Sequence, residues 1–542
     1  MTKINHEIAQ GERRMATITK YDGAPGTGKT WKLTQDFKTA LSNGVPPENI
    51  LFTQFRKEAA SDAKGILSAA SGVKESRLCN VRTFHGECLS LLMKSGIVDV
   101  KKEDGYLITK RDLKEFGLKY GYSFNTKDSA EKDKMDQLTT FYAYCKNNMV
   151  GPTKGAMKVY SKEVIPFSQK KEFYGDYEEY KQEVGKIDWS DMLNLVLENG
   201  IMTDCTVQMY DEAQDMTPIM YELSKMWSDD AETVYYAGDP LQTLYPFMGA
   251  SPEHFMNTKG ELVVLPVSHR LPANVWKKAA WMVTDRNKYR APKIETPKPD
   301  GQMIVVDYKG LSTYLSKRFA KYFAPDETAF HLVRTNYQGH AIAKILAEMG
   351  TPFGGICGWT HDEIQLYNAI AKIKDGRTPT VTEYKKLIDH VKKTDLQYKG
   401  TKEDLKTFFE SNTQQVNALN NWYLSNSFVQ AVRAGNPGER LTNADSMLKL
   451  KINGMLKNDV AAIDESRINR IQILTIHGAK GLEATHVFLH AAVPPIIKQS
   501  MLTTEGRANE AYVWYVAITR TMKNLIVVSY PGKNYPIPGM CA

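Results

Sequence analysis

The chain has 542 residues, of which 42% are hydrophobic, 10% aromatic and 24% charged; this is the composition of a globular protein of several domains and excludes a disordered, fibrous or coiled-coil chain. The 70 basic and 62 acidic side chains leave a formal charge of +8, which permits a polyanionic partner without requiring one. No apolar run approaches the roughly 18 residues that cross a bilayer, and the opening MTKINHEIAQGERR has no apolar stretch for a signal peptide, so no membrane partner and a cytoplasmic location, bacterial or in a virus-infected host, are expected. The six cysteines lie far apart with no CxxC pair, which points to reduced thiols rather than disulfides or a local zinc site.

Residues 1–97 alternate short apolar strands with helix-like stretches: ATITKY, ENILFTQF, a helix from Lys57 to Ala70, then NVRTF. That rhythm predicts parallel α/β structure. Over 98–187 the texture changes to Lys, Glu, Tyr and Phe at helical spacing, a helical insertion, and over 188–265 strands return at CTVQMY, ETVYYAG and ELVVLPV. A second α/β region over 266–372 holds MIVVDY and TAFHLVRTN. It is interrupted by a polar helical stretch over 373–465 and resumes over 466–542 with IQILTI, THVFLHAAV and NLIVVSY. The expected fold class is α/β: two domains with parallel sheets, each carrying a mostly helical insertion.

Within the first strand–turn–helix unit, Gly23, Ala24, Pro25, Gly26, Thr27, Gly28, Lys29 and Thr30 fit G-x-x-x-x-G-K-[ST]. Such a loop turns its backbone N–H groups around phosphate oxygens, with the lysine reaching the β- and γ-phosphates of ATP and the threonine ligating Mg²⁺. Hydrolysis also needs a carboxylate for the metal and a second acid to activate water. The DEAQD box after CTVQMY supplies Asp211 for Mg²⁺ and Glu212 as general base. The distance in sequence from Lys29 to Asp211 is too long for one uninterrupted α/β core, which independently supports the first insertion.

Several further segments, in order, resemble the motifs of the UvrD/Rep-like superfamily 1 helicases. ILFTQFRKEAA departs from the family at Arg56-Lys57-Glu58, VRTFHGECLSLL matches the Thr-Phe-His motif closely, and KIDWSDML resembles the element preceding the acidic box. GDPLQTLYPFMGA resembles the third motif, with Met248 where the family has arginine; VSHRL keeps Arg270 but has His269 where an aromatic ring stacks on adenine. VRTNYQ, TIHGAKGLE and YVAITRT resemble the motifs of the second motor domain.

The resemblance implies two RecA-like motor domains with ATP bound at their interface. It makes Gln242 the γ-phosphate sensor, Arg270 and Arg520 arginines acting on transition-state charge, Glu483 a ribose contact and Gln10 the candidate for the upstream adenine-reading glutamine. Contacts to single-stranded DNA are implied for Phe55, Thr83, His85, Tyr245, Phe247, Arg334, Asn336 and His477. The implied activity is ATP-dependent 3′→5′ translocation on single-stranded DNA and unwinding at single-strand/duplex junctions, in replication, recombination or repair, with replication, repair or nuclease proteins as candidate partners. Two readings compete: a translocase or motor subunit of a nuclease complex with little unwinding alone, and a non-enzymatic DNA-binding protein with a degenerate motor fold. The intact Lys29, Asp211, Glu212, Gln242, Arg270 and Arg520 speak against the last.

Overall fold

The computed structural model describes residues 16–98, 105–124, 129–153, 165–284, 291–320, 323–411, 423–537 and 539–540. Gln10 lies outside the described residues. The chain forms two compact units: Met1–Arg270 with Val283–Pro297 and Thr503–Val513, and Leu271–Met282 with Lys298–Leu502 and Trp514–Ala542.

The first unit is built on a parallel sheet of β1 (Thr17–Gly23), β2 (Ile50–Gln54), β3 (Val81–Thr83), β4 (Val207–Tyr210), β5 (Thr233–Gly238) and β6 (Glu261–Leu265), ordered β3-β2-β4-β5-β1-β6. β2 and β4 are buried along their whole length, as expected of parallel strands covered on both faces, which read as continuous apolar runs. β5 lies between β1 and β4, with Asp22 in register with Gly238 and Tyr210 with Tyr236. The phosphate loop and the acidic box thus leave the same edge of the sheet one strand apart. In open α/β sheets that carboxyl edge is where ligands bind.

The insertion contributes helices Lys110–Tyr120, Ser129–Asn147 and Phe167–Val184, packed around Phe116, Leu138, Tyr142, Phe173 and Tyr177. Capping boxes start two of the helices between residues 105 and 200: Thr109 with Asp112, and Asp188 with Asp191 ahead of Trp189–Glu198. Such boxes satisfy two otherwise unpaired helix N–H groups.

The second unit has a parallel sheet of β7 (Met303–Asp307), β8 (Ala329–Val333), β9 (Gly354–Gly355), β10 (Ile471–Thr475), β11 (Ala484–His490) and β12 (Thr521–Ser529), ordered β7-β12-β11-β8-β10-β9. Its helical insertion has its own core around Leu366, Tyr367, Ile370, Tyr384, Leu387, Phe409, Tyr423 and Ile452. No helix among the described residues is long and apolar enough to cross a membrane.

One ion cluster ties three adjacent strands at the amino edge of this sheet. Glu327, just before β8, accepts from Lys523 Nζ at 2.7 Å on β12 and meets His486 Nε2 at 2.9 Å on β11. Burial alone would raise the Glu327 carboxyl, but Lys523, His486 and the Ala324 backbone hold it at about 2, below its ordinary 4.5. A depressed carboxyl contributes stability above its unfolded pKa and loses it as pH falls toward the folded one. Glu327→Gln is therefore expected to be less stable than wild type at pH 7, with the gap in urea midpoints narrowing as pH falls below 4.5 toward 2. A gap independent of pH would show that the cluster acts by packing alone.

Candidate nucleotide site and single-strand surface

The phosphate loop joins β1 to the helix Lys29–Ser42. Gly26 and Gly28 have φ of +76° and +84°, a left-handed backbone open to glycine at no steric cost. Lys29 is buried and donates from Nζ to the Gly23 carbonyl at 2.7 Å and the Ala24 carbonyl at 3.4 Å. The ammonium is thereby folded over the loop. Thr27 closes the turn by donating from Oγ1 to the Ala24 carbonyl at 2.9 Å.

A Cβ on Gly26 would lie 2.3 Å from Cβ of Arg270, so the bare backbone there admits the segment 268–270. That segment is anchored by Ser268 Oγ donating to the Pro25 carbonyl at 2.7 Å and by His269 N donating to the Gly26 carbonyl at 2.9 Å. His269 is exposed and Arg270 half-buried beside the loop. Ser268 was not singled out in the sequence, although it lies within the matched VSHRL.

Asp211 directly follows β4 and is buried, with Oδ2 accepting from Thr30 Oγ1 at 2.8 Å and from Gln54 Nε2 at 2.9 Å. Burial and then the neighbouring Glu212 push the Asp211 carboxyl up, opposed by these two hydrogen bonds and by Lys29. A hydroxyl and a carboxylate side by side are the hard oxygen donors that suit a divalent cation bridging to phosphate, so Thr30 and Asp211 fit the metal role chemically. Glu212 follows in a left-handed conformation with φ +55°, a strain of order 1 kcal/mol that a non-glycine residue keeps only where its surroundings enforce it. Its carboxylate accepts from Gln214 Nε2.

From there a chain of hydrogen bonds runs to the third motif. Gln214 Oε1 accepts from Asp239 N at 3.0 Å, and Asp239 Oδ2 accepts from Gln242 Nε2 at 2.9 Å. Glu212 and Gln242 are thus joined through two residues to which the sequence alone assigns no role, though both lie inside the matched motifs. A third is Asp22, whose carboxyl is raised to about 6 by burial and then by Asp239, with Lys29 acting the other way. Trp31, 65% exposed directly after Thr30, carried no sequence signal.

Three residues past Gln242 a ladder of rings begins. Tyr245 stacks on Phe55 with centroids 4.8 Å apart, and Phe247 meets Tyr245 edge-on at 6.0 Å. Phe55 and Tyr245 open onto a cleft of about 560 Å³ that is also lined by Thr83, His85, Trp189, Met248 and, from the insertion, Phe124, Tyr142 and Tyr177. Thr83 caps the helix Phe84–Lys94 by accepting from Gly86 N at 3.1 Å, and His85 meets Trp189 edge-on at 6.1 Å. Burial lowers His85 to about 4, so at neutral pH it is an uncharged hydrogen-bonding group. Phe247 is 41% exposed, so trimming it leaves little cavity. Phe247→Ala is expected to keep the wild-type thermal midpoint within a few degrees while weakening single-strand binding by roughly 5- to 100-fold, the range of one lost base stack. A large drop in the midpoint with unchanged affinity would make the ring a packing residue.

The second unit holds the remaining predicted residues. Arg334 follows β8 and His477 follows β10, neighbours in register at Val333 and Thr475. Burial, then Arg334 and Lys480, lower His477 to about 4. Asn336 opens the helix Asn336–Glu348 and Glu483 precedes β11, both exposed. Arg520 is almost fully buried, donating to the carbonyls of Val516 at 3.0 Å and Leu482 at 3.2 Å and to Thr519 Oγ1 at 3.2 Å. Structural work is thus assigned to this arginine whatever else it does.

Residues 13–262, carrying this loop, acidic box and ring ladder, match the UvrD/REP helicase N-terminal domain. Over this stretch the chain is similar to the UvrD/Rep-like helicases. It is 21% identical over 615 aligned positions to the ATP-dependent DNA helicase Rep of Buchnera aphidicola subsp. Schizaphis graminum, covering 95% of this chain and 92% of that protein. Against the putative ATP-dependent DNA helicase YjcD of Bacillus subtilis it is 23% identical over 385 positions, and the match covers 65% of this chain and about half, 49%, of that protein. The ATP-dependent DNA helicase SRS2 of Saccharomyces cerevisiae is 24% identical over 303 positions, 49% of this chain and 25% of that protein.

Proposed function

We propose that this UvrD/Rep-like chain is an ATP-hydrolysing motor that moves 3′→5′ along single-stranded DNA and opens duplexes at single-strand/duplex junctions in replication, recombination or repair. The observation that carries the proposal is the run of hydrogen bonds from Glu212 through Gln214 and Asp239 to Gln242, with Tyr245 and Phe247 on the same short segment. A change at the phosphate side has a covalently and hydrogen-bonded route to the ring ladder. The direction of travel rests on family likeness alone.

In this mechanism the loop backbone of 24–28 and Lys29 hold the β- and γ-phosphates, and Glu212 takes a proton from the attacking water. A Mg²⁺ ion, held by Thr30 and Asp211, would supply charge neutralisation on the phosphates. Gln242 senses the γ-phosphate, while Arg270 beside the loop and Arg520 stabilise charge that develops in the transition state. His269 and Glu483 contact the nucleoside. Phe55, Tyr245 and Phe247 stack bases, and Thr83, His85, Arg334, Asn336 and His477 bind the backbone. Because His85 and His477 are neutral at pH 7, they contribute hydrogen bonds rather than counterion release and add nothing to the salt dependence of binding.

The test is ATPase activity with and without single-stranded DNA, together with unwinding of duplexes bearing only a 3′ or only a 5′ tail. DNA-stimulated hydrolysis with unwinding of the 3′-tailed duplex is expected. Hydrolysis without unwinding would leave a translocase that needs a partner, and no stimulation by DNA would overturn the proposal.

A further inference from the structure

The most exposed large apolar side chains of the chain include Tyr337, 85% exposed. It stands second in the helix Asn336–Glu348, next to Asn336 and three residues after Arg334. The backbone beneath it is firmly held. Gln338 Oε1 accepts from Arg334 N at 2.9 Å and Thr335 N at 3.0 Å, while Gln338 Nε2 donates to the Ala492 carbonyl at 2.9 Å. Thr335 and Gln338 complete a capping box. The ring therefore projects from a rigid support into water, where an aromatic side chain gains nothing for the fold.

We infer that Tyr337 is a base-stacking platform of the second unit, on which one base of a single strand lies as the strand passes the carboxyl edge of the β8–β10 pair. This inference rests on the single-strand reading of the proposed function. Its neighbourhood has what a sequence-independent strand site requires: an aromatic face flanked by backbone donors. Arg334 and His477 leave adjacent parallel strands at that edge, and Asn336 is exposed beside the ring. Along the same helix face, His340 and Lys344 follow one and two turns later, both exposed, which gives polar and cationic groups in line with the platform. The first unit has its ring ladder at Phe55, Tyr245 and Phe247; Tyr337 supplies the second unit with a grip of the same kind. Each unit then holds the strand by a base as well as by phosphates.

The experiment measures binding of a fluorescent oligothymidylate and of an abasic strand of equal length, by anisotropy, to the wild-type chain and to Tyr337→Ala, Tyr337→Phe and Asn336→Ala. Tyr337→Ala is expected to lose roughly 5- to 100-fold in affinity for the oligothymidylate and to match wild type on the abasic strand. Tyr337→Phe should stay within about twofold of wild type on both, since the π-face is retained. An equal loss on both strands would make Tyr337 a backbone contact and overturn the inference. If wild type binds and Asn336→Ala weakens it while Tyr337→Ala does not, the inference alone fails, and the ring is left to a protein partner. If wild type binds neither strand, the single-strand reading fails and this inference fails with it.

Discussion

Glu212→Gln is expected to bind ATP and to hydrolyse it about 10³-fold more slowly, within the 10²- to 10⁴-fold range of a lost general base. The amide keeps the shape of the side chain and can still meet Gln214, whose amide now contacts the Glu212 carboxylate. Fold and nucleotide affinity should therefore persist. Lys29→Ala should lose comparable activity by another route, because the ammonium that now caps the Gly23 and Ala24 carbonyls is the group that would exchange them for phosphate oxygens. In this variant nucleotide affinity is expected to fall as well. Single-turnover hydrolysis and equilibrium binding of a fluorescent nucleotide separate the two effects. Near-normal turnover in Glu212→Gln would remove Glu212 from the role of base.

A second large effect is expected far from the phosphates. Lys181, only 4% exposed, sits among Asp191 at 2.5 Å, Glu178 at 3.1 Å and Asp188 at 3.4 Å, and its ammonium also donates to Tyr142 Oη. A second ammonium, Lys146, reaches Asp191 at 3.0 Å and Glu178 at 3.3 Å. Burial would raise Asp191, but Lys181 and Lys146 hold it below the usual aspartate range. Lys181→Met fills much of the volume but leaves the carboxylates short of one cation. Breaking a buried pair in this way costs about 3–5 kcal/mol. The loss should be read as a shift in the urea transition and should shrink as pH falls, because the stranded carboxylates then take up protons in the folded state. Asp188, Tyr142 and Tyr177 line the cleft that holds Phe55 and Tyr245, so single-strand binding should weaken together with stability. An unchanged urea transition would show that the network is not part of the folding unit.

Much of the architecture was legible because its signals are local. ATITKY, CTVQMY, ETVYYAG, IQILTI and NLIVVSY each fall on a strand of the structure, since runs of β-branched and aromatic residues bounded by polar turns leave few alternatives. The helix expected from Lys57 to Ala70 runs Lys57–Ser71, ended by Gly72 in the left-handed conformation. The two-residue β9, Gly354–Gly355, carries no such run and exists because β10 offers it a partner in register at Gln472 and Ile473. The bonds that hold residues 268–270 beside the phosphate loop show the same limit. What keeps His269 and Arg270 with the first unit is Ser268 and His269 bonding to Pro25 and Gly26, contacts more than 240 residues apart in sequence.

By itself, the sequence determined the phosphate loop, the acidic box, the alternation of strands and helices and an order of motifs similar to that of UvrD/Rep-like helicases. These depend on residue type at short spacing, where backbone geometry leaves one main solution. The tertiary structure decided which side chains meet. It set Thr30 against Asp211, 181 residues away, joined Glu212 to Gln242 through Gln214 and Asp239, closed Phe55 onto Tyr245, and buried Arg520 among its own unit's carbonyls. It also left Trp31 and Tyr337 in water, which no periodicity announces. Such pairings depend on sheet order and on which face a helix turns inward, and those follow from the balance of burial over the whole unit rather than from any one stretch of chain.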